Sequence, residues 1–507
     1  MGIQNWRTTV ARTFAYYRYK QIDRYAQGAA DIQAKQLQRL LLSAKNTEWG
    51  QQHDFASIKG YAEYSKRFPI QTYEDLKPYI LRMIEGEADI LWKGKTTWFA
   101  KSSGTTNDKS KFIPVTRDVL DLCHYKGGWD TALIYVRNHP KSQFFHRKSF
   151  ILGGSHSPSS INSHASCGDL SAVLVQNISA FVELMRVPCK EIILMDNWEE
   201  KLEALMQALW KEDIVSLSGV PSWMLIVLKN LIERTGKKNL SEVWPHLEVF
   251  FHGGISFTPY RKQYESLIPS QQMHYMETYN ASEGFFALQD ETTAEGMLLM
   301  QDYGTFYEFI PMECFGTEDE TCVPLEDVEV GKNYAMVVST VGGLWRYLIG
   351  DTVRFVSVRP HRIVITGRTK HFINAFGEEL MVDNADKALH QTCLETGASV
   401  KEYTAAPLFH LDKAKGCHQW LIEFEQKPAS VSDFAQRLDA HLQQLNSDYE
   451  AKRYKDFSLQ PLQIVEARAQ VFYDWLKEKG KLGGQHKVPR LSNDRSYMEQ
   501  LLLFNQR

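Results

Sequence analysis

Long apolar runs are missing from this sequence, and its first residues hold none: Trp6, Arg7, Arg12, Arg18 and Lys20 break up the N-terminus. A secretory leader needs an apolar stretch behind a basic start, and a membrane span needs about 20 apolar residues in a row. Neither is expected, and a cytoplasmic protein is. Gly2 follows Met1, but Trp6 stands where a myristoylation signal has Ser or Thr. Paired cysteines are missing too. The seven cysteines, at positions 123, 167, 189, 314, 322, 393 and 417, are spread singly and form no C-x-x-C, and their odd count argues against a disulfide framework and points to reduced thiols. No HExxH or His/Cys cluster suggests structural zinc. Charge of one sign is scarce: 58 Lys and Arg face 61 Asp and Glu, a net of −3, so no broad field draws nucleic acid or an anionic membrane. Any polyanion must be held by local geometry.

What is present is a large apolar fraction, 43% hydrophobic and 12% aromatic over 507 residues, enough for two or more cores. Residues from Trp6 to Trp49 read as helical, with Leu37, Leu40, Leu41 and Ala44 at helical spacing. From Trp98 onward short β-like runs end in glycine or serine turns and are followed by helical stretches. Examples are Ser149–Leu152 before Gly153-Gly154, Ile214–Leu217 before Ser218-Gly219, and Leu247–Phe251 before His252-Gly253-Gly254. Ile192–Leu209 has the length of a helix. Strand, glycine turn, helix, repeated, is the pattern of an α/β fold with a partly parallel sheet, whose ligands sit at the carboxyl ends of strands. Met297–Phe355 reads instead as strand after strand, including Thr305–Ile310 and Tyr334–Val338, and suggests an antiparallel sheet or distorted β-barrel packed on the α/β part. A boundary near Thr366–Lys370 precedes a smaller α+β unit with a strand at Trp420–Phe424 and a helical stripe of Phe434, Leu438, Leu442, Leu445 and Tyr449. The expected division is residues 1–369 and 370–507.

Four segments carry candidate chemistry. Lys101-Ser102-Ser103-Gly104-Thr105-Thr106, with Lys109 and Lys111 behind it, surrounds one glycine with hydroxyls and cations, the composition of a loop that wraps polyphosphate. It is not the common P-loop; the one Gly-Lys-Thr, Gly94-Lys95-Thr96, has Asp89 where the first glycine belongs. Tyr279-Asn280-Ala281-Ser282-Glu283-Gly284 offers a ring, a hydroxyl and a carboxylate within one short turn; an adenine can stack on Tyr279 and Glu283 can hold Mg²⁺. Asp351, behind Gly350 at a strand end, suits bidentate contact with ribose hydroxyls, although Gly-Asp is also a hairpin dipeptide. Gly480–Arg490 is a basic loop able to deliver a lysine to an anion.

Ser-Ser-Gly-Thr-Thr, then Tyr-x-Ala-Ser-Glu, then Tyr-x-x-Gly-Asp resembles the acyl-adenylate-forming (ANL) superfamily. More narrowly, Ser-Ser-Gly-Thr-Thr running into Lys111–Thr116, Ala281–Phe286 and Trp345-Arg346-Tyr347 resemble the auxin-responsive acyl-acid amido synthetases of plants and bacteria. That resemblance implies a large N-terminal adenylation domain and a small hinged C-terminal domain. It implies that Ser102, Ser103, Gly104, Thr105 and Thr106 embrace ATP phosphates, that Tyr279 stacks on adenine and that Ser282 touches the α-phosphate or acyl carboxylate. Glu283 would coordinate Mg²⁺, Asp351 would bind ribose, and Gly253-Gly254 would form the turn beside adenine and acid. Arg368 matches the junction arginine, Lys370 the hinge, and Lys487 the carboxy-terminal catalytic lysine, with Lys481 as the other alignment. Leu348 stands where the superfamily often has Arg, a gap that Arg346 could fill. The acyl pocket would draw on Cys167–Val175 and Pro221–Leu225.

The activity implied is ATP-dependent. A carboxylic acid, aryl or hydrophobic, is activated as acyl-adenylate with loss of pyrophosphate, and an amino acid then takes the acyl group, releasing AMP. The alternative is a thiol acceptor such as coenzyme A. The amine's base is unnamed by this reading, with His252 one candidate. A hydrolase reading of Gly153–Ser157 fails because Ser157 replaces the closing glycine of a nucleophile elbow, and a non-catalytic nucleotide scaffold would have no use for Glu283, Asp351 and a terminal lysine together.

Overall fold

The computed structural model of the protein describes residues 5–102, 111–153, 159–195, 197–254, 257, 260–369, 372–373, 375–376, 378, 380–409, 416–446, 449–450, 453, 459–479 and 488–507. The N-terminal helical stretch is two helices, α1 (Asn5–Asp23) and α2 (Tyr25–Ala44). The stripe Leu37, Leu40, Leu41 and Ala44 is buried, as its spacing requires. Arg18 anchors α1, bonding Asp130 at 2.7 Å and Asp302 at 2.6 Å.

Two strands carry the hydroxyl-rich segment into the body. β1 (Trp98–Ser102) pairs antiparallel with β2 (Lys111–Val115), and β1 also runs parallel to Ser166–Gly168 in a four-stranded sheet. The main sheet has twelve strands among the described residues. Its parallel half contains β3 (Lys148–Ile151), β4 (Ile214–Gly219), β5 (Val249–Gly253) and β6 (His274–Ala281), side by side in that order. Val249, Phe250 and Phe251 are consecutive and all buried, the near-continuous apolar run of a strand covered on both faces. Helices α3 (Trp198–Leu209), α4 (Pro221–Thr235) and α5 (Arg261–Leu267) belong to this half. The 192–209 stretch is broken: Asn197 accepts from the N–H groups of Glu199 and Glu200 at 3.0 and 3.2 Å and starts α3 anew.

The antiparallel half contains β7 (Gly284–Leu288), β8 (Met297–Leu299), β9 (Thr305–Pro311), β10 (Asn333–Thr340), β11 (Tyr347–Val358) and β12 (His361–Arg368). It does not pack on the parallel half as a separate layer. The order β9-β10-β11-β12-β8-β7-β6 hydrogen-bonds it into the same sheet, with β7 and β6 as the joint. Sequence periodicity sees each strand but not which edge it joins.

Among the described residues the smaller C-terminal domain has a three-stranded sheet, β13 (Ser399–Phe409), β14 (Gly416–Gln426) and β15 (Gln463–Glu466), with helices α6 (Val382–Thr396), α7 (Val431–Leu445), α8 (Val471–Glu478) and α9 (Ser496–Asn505). Trp420, Phe434, Leu438, Leu442 and Tyr449 share its core. Polar contacts among the described residues tie it to the larger domain, among them Lys229 to Glu425 at 2.5 Å, Lys477 to Glu199 at 2.8 Å, Arg354 to Asp383 at 3.6 Å, and Arg490 to the Tyr260 hydroxyl at 3.0 Å. No helix among the described residues is long and apolar enough to cross a membrane, and all seven cysteines are free thiols.

Candidate active site

The site is built at the joint between the two halves of the sheet. β6 and β7 form a hairpin in which Ala281 pairs with Gly284, so Ser282 and Glu283 are its two-residue turn and Tyr279 lies back in the strand. Asp351 is not at a strand end. It lies inside β11, directly opposite Arg368 on β12, and Gly350 before it takes a φ of +91° that only glycine adopts without strain. The Gly-Asp pair therefore bends a continuous strand instead of closing a hairpin.

Asp351 is the hub. The Tyr279 hydroxyl donates to its Oδ2 at 2.6 Å, and Arg368 Nε approaches its Oδ1 at 2.9 Å. Two carboxylate oxygens can accept about four hydrogen bonds, so acceptor capacity remains for two neighbouring hydroxyls. Glu283 sits close enough to feel both charges. Burial first, and then the Asp351 carboxylate, push its pKa up, while Arg368 and Lys111 pull it back. Arg368 stays charged, held chiefly by Asp351. The Tyr279 ring meets Phe286 edge-on, with centroids 5.1 Å apart. On the next strand Gly253 has no room for a side chain: a Cβ there would lie 2.3 Å from the Thr278 carbonyl oxygen. Gly254 follows with a φ of +84°.

These residues border a cavity of about 1300 Å³. Tyr279, Ser282, Glu283, Asp351, Arg368, Gly253 and Gly254 all line it. An apolar arm is walled by Leu174 and Val175 from one expected segment and by Trp223 and Leu225 from the other. Trp129, Phe145 and Trp198 line the same cavity and went unnoticed in the sequence, because nothing in their local pattern separates a pocket wall from ordinary core.

Two expectations are corrected. Arg346 does not fill the gap left by Leu348. Its guanidinium is spent on Glu308, at 2.9 Å, and on the carbonyls of Ser65 and Phe68, at 2.7 and 2.8 Å. The pair is buried and clamps the entry segment to the sheet. His252 is no base. Burial first, and then Arg261, depress its pKa to about 3, and its ring stacks on Phe257 at 4.2 Å. Ser102 ends β1, whereas Ser103, Gly104, Thr105, Thr106, Lys370, Lys481 and Lys487 lie outside the described residues.

The donor set fits a hard cation held jointly with a substrate. Glu283 is a buried carboxylate whose own N–H supplies its hydrogen bond and whose neighbour Asp351 carries like charge, so a cation would relieve it. Among the described residues no three His, Cys, Asp or Glu side chains form a closed metal cage. One carboxylate with phosphate oxygens and waters is a common way of holding Mg²⁺.

A mixed α/β body with a carboxylate hub at a sheet joint, and a smaller domain across the cavity mouth, defines a two-domain α/β protein with its candidate site beneath the smaller domain. The chain belongs to the GH3 family: the GH3 family N-terminal domain matches residues 18–273, the central domain residues 298–368 and the C-terminal domain residues 383–496. It is 23% identical over 509 residues to the Arabidopsis thaliana 4-substituted benzoates-glutamate ligase GH3.12, covering 84% of this chain and 87% of that protein. To the Arabidopsis thaliana indole-3-acetic acid-amido synthetase GH3.4 it is 23% identical, over 93% of this chain and 90% of that one. Its fold resembles that of the AtGH3.15 acyl acid amido synthetase in complex with 2,4-DB, with a TM-score of 0.79 at 17% identity over 96% of this chain and 95% of that one.

Proposed function

We propose that the protein is an ATP-dependent acyl-acid amido synthetase. A carboxylate attacks the α-phosphorus of ATP, pyrophosphate leaves, and the acyl-adenylate then passes its acyl group to an amino acid, releasing AMP. The observation that carries this reading is the Tyr279–Asp351–Arg368 hub beside Glu283 at the head of a deep cavity. Asp351 holds the ribose hydroxyls, with Tyr279 and Arg368 fixing its carboxylate. Tyr279 presents its ring to adenine, and the Gly253-Gly254 turn, which lines the cavity beside it, lets the nucleotide approach backbone.

Glu283 holds Mg²⁺ with the phosphates; when bound, the ion offsets the repulsion between the acid and ATP. Ser102, Ser103, Gly104, Thr105 and Thr106 wrap the phosphates, and Ser282 orients the α-phosphate or the acyl carboxylate. Lys487, with Lys481 as the other assignment, brings a positive charge to the carboxylate–phosphate encounter. Residues 1–369 act as the adenylation body and 370–507 as a cap that turns about Lys370 between the two half-reactions. The Trp- and Leu-lined arm selects an apolar or aryl acid.

The test is ATP–pyrophosphate exchange across a panel of aryl, indolyl and aliphatic acids, followed by mass detection of products with an amino-acid mixture and with coenzyme A. Acid-dependent exchange and an amino-acid conjugate are expected. Absence of exchange with every acid overturns adenylation, and a thioester in place of an amide overturns the amine acceptor.

A further inference from the structure

The amide-forming half-reaction needs a group to take a proton from the acceptor, and the motif residues supply none. β5 and β6 run parallel with His252 opposite Glu277, so the two side chains project from the same face of the sheet. His252 carries no usable basicity at neutral pH. Glu277, two residues before Tyr279 and on the same strand face, lines the same cavity.

The charges around that part of the cavity are mostly spent on each other. Lys229 meets Glu425 at 2.5 Å, Lys387 meets Asp383 at 3.0 Å, Lys401 meets Glu423 at 2.8 Å and Arg490 meets Glu402 at 2.9 Å. Asp386 accepts from the Tyr403 hydroxyl at 2.7 Å. Two charges are left over. Glu277 has no ion pair or side-chain hydrogen bond among the described residues, and Arg261 has its nearest carboxylate, Glu265, 3.9 Å away. Arg261 is steadied by the rings of Phe257 and Tyr275, at 5.1 and 5.5 Å. Among the described residues, an anion with no ion pair of its own and a cation whose one ion pair is long, on the same wall, complement a zwitterion.

We propose that Glu277 is the proton acceptor for the amine in the second half-reaction and that Arg261 holds the acceptor's carboxylate. This rests on the amido synthetase reading above. As the nitrogen lone pair forms the N–C bond, the C–O bond to AMP breaks and its electron pair leaves on the phosphate oxygen. Of the two protons an ammonium must shed, one goes to Glu277 before attack, which frees the lone pair, and the other leaves to water as the N–C bond forms; Glu277 then releases its proton to solvent. The groups facing Glu277 are His252 on β5, Arg261 on α5, Asp383 on α6 and Gln289 beyond β7. Burial and Asp383 raise the Glu277 pKa to about 7 against the pull of Arg261, a value suited to taking a proton near neutrality.

The experiment measures three rates on full-length wild type, Glu277→Gln and Arg261→Gln: acid-dependent ATP–pyrophosphate exchange, amide formation with the amino acid found in the conjugate screen, and hydroxamate formation with hydroxylamine, which is already neutral at pH 7. In E277Q, amide formation is expected to fall about a hundredfold or more and to lose its rise through pH 7, while exchange and hydroxamate formation stay within about twofold. In R261Q, the KM for the amino acid is expected to rise about tenfold while that for its decarboxylated amine does not move, as loss of one charge-assisted contact requires. Wild-type amide formation in E277Q overturns the base. Loss of exchange in E277Q also overturns it, because Glu277 would then serve adenylation or the fold. An unchanged amino-acid KM in R261Q overturns the carboxylate contact. Absence of exchange in the wild type overturns the adenylation reading itself, a separate result.

Discussion

At the scale of single residues the site depends on where carboxylates are left without partners. Asp351 is neutralised by Arg368 and fixed by Tyr279, whereas Glu277 and Glu283 are held in surroundings that disfavour their charge. For Glu277 this has a consequence for stability. Its pKa moves from 4.5 to about 7 on folding, so between those values the unfolded chain gives up the proton more readily than the native one. Stability is therefore lost as pH rises through that window, by at most about 3 kcal/mol at about 1.4 kcal/mol per unit. Glutamine does not titrate. Thermal melts should find E277Q gaining on the wild type from pH 5 to pH 8, and a difference in Tm that stays constant across that range would show that the site does not disfavour the charge.

At the scale of elements, close packing of β5 against β6 sets the floor of the cavity. Thr278 Oγ1 donates to the His252 carbonyl at 3.2 Å, and Gly253 lies against the Thr278 carbonyl with no room for Cβ. Gly253→Ala must push the strands apart, at a cost of about 1–3 kcal/mol for an overpacked position. A lower denaturation midpoint with a raised KM for ATP is the expected result, and a wild-type midpoint would mean that the strands part freely. The elements also show what was legible beforehand. Strands such as Ile214–Leu217 and the α2 stripe were readable because burial imposes a period on neighbouring residues. The Ser-Ser-Gly-Thr-Thr, Tyr-x-Ala-Ser-Glu and Tyr-x-x-Gly-Asp motifs were readable because their residue types are unusual together. Glu277 and Arg261 were not, since an isolated charge on a strand or helix looks like any solvated one until the partners of every neighbouring charge are known. Arg346 misled for the same reason: only Glu308, 38 positions away, reveals that it is structural.

At the scale of the whole molecule the smaller domain meets the larger through buried and exposed polar contacts alike. The ion pairs Lys229–Glu425 and Lys477–Glu199 are partly or largely exposed and each is worth about 1 kcal/mol or less, so they bias the cap without locking it. Reversing one charge, Lys229→Glu, should open the cap in part, increase the radius of gyration measured by X-ray scattering and slow overall amide synthesis several-fold. Adding Glu425→Lys should recover both. A double variant no better than the single one would show that the contact plays no part in closure. The sheet has a different consequence. The Tyr279–Asp351–Arg368 hub and the Ser282–Glu283 turn lie towards its middle, held by strands on either side, whereas β3 and the Arg186–Val187 strand lie at one end of it. Leu174, Val175 and Trp198, which line the cavity, stand outside the sheet on the helices Leu170–Gln176 and Trp198–Leu209. On the proposed reading, exchange of these helices would alter which acid fits without shifting the strands that carry the Tyr279–Asp351–Arg368 hub. On that reading acid preference and acid activation are carried by separate parts of the chain and can change separately.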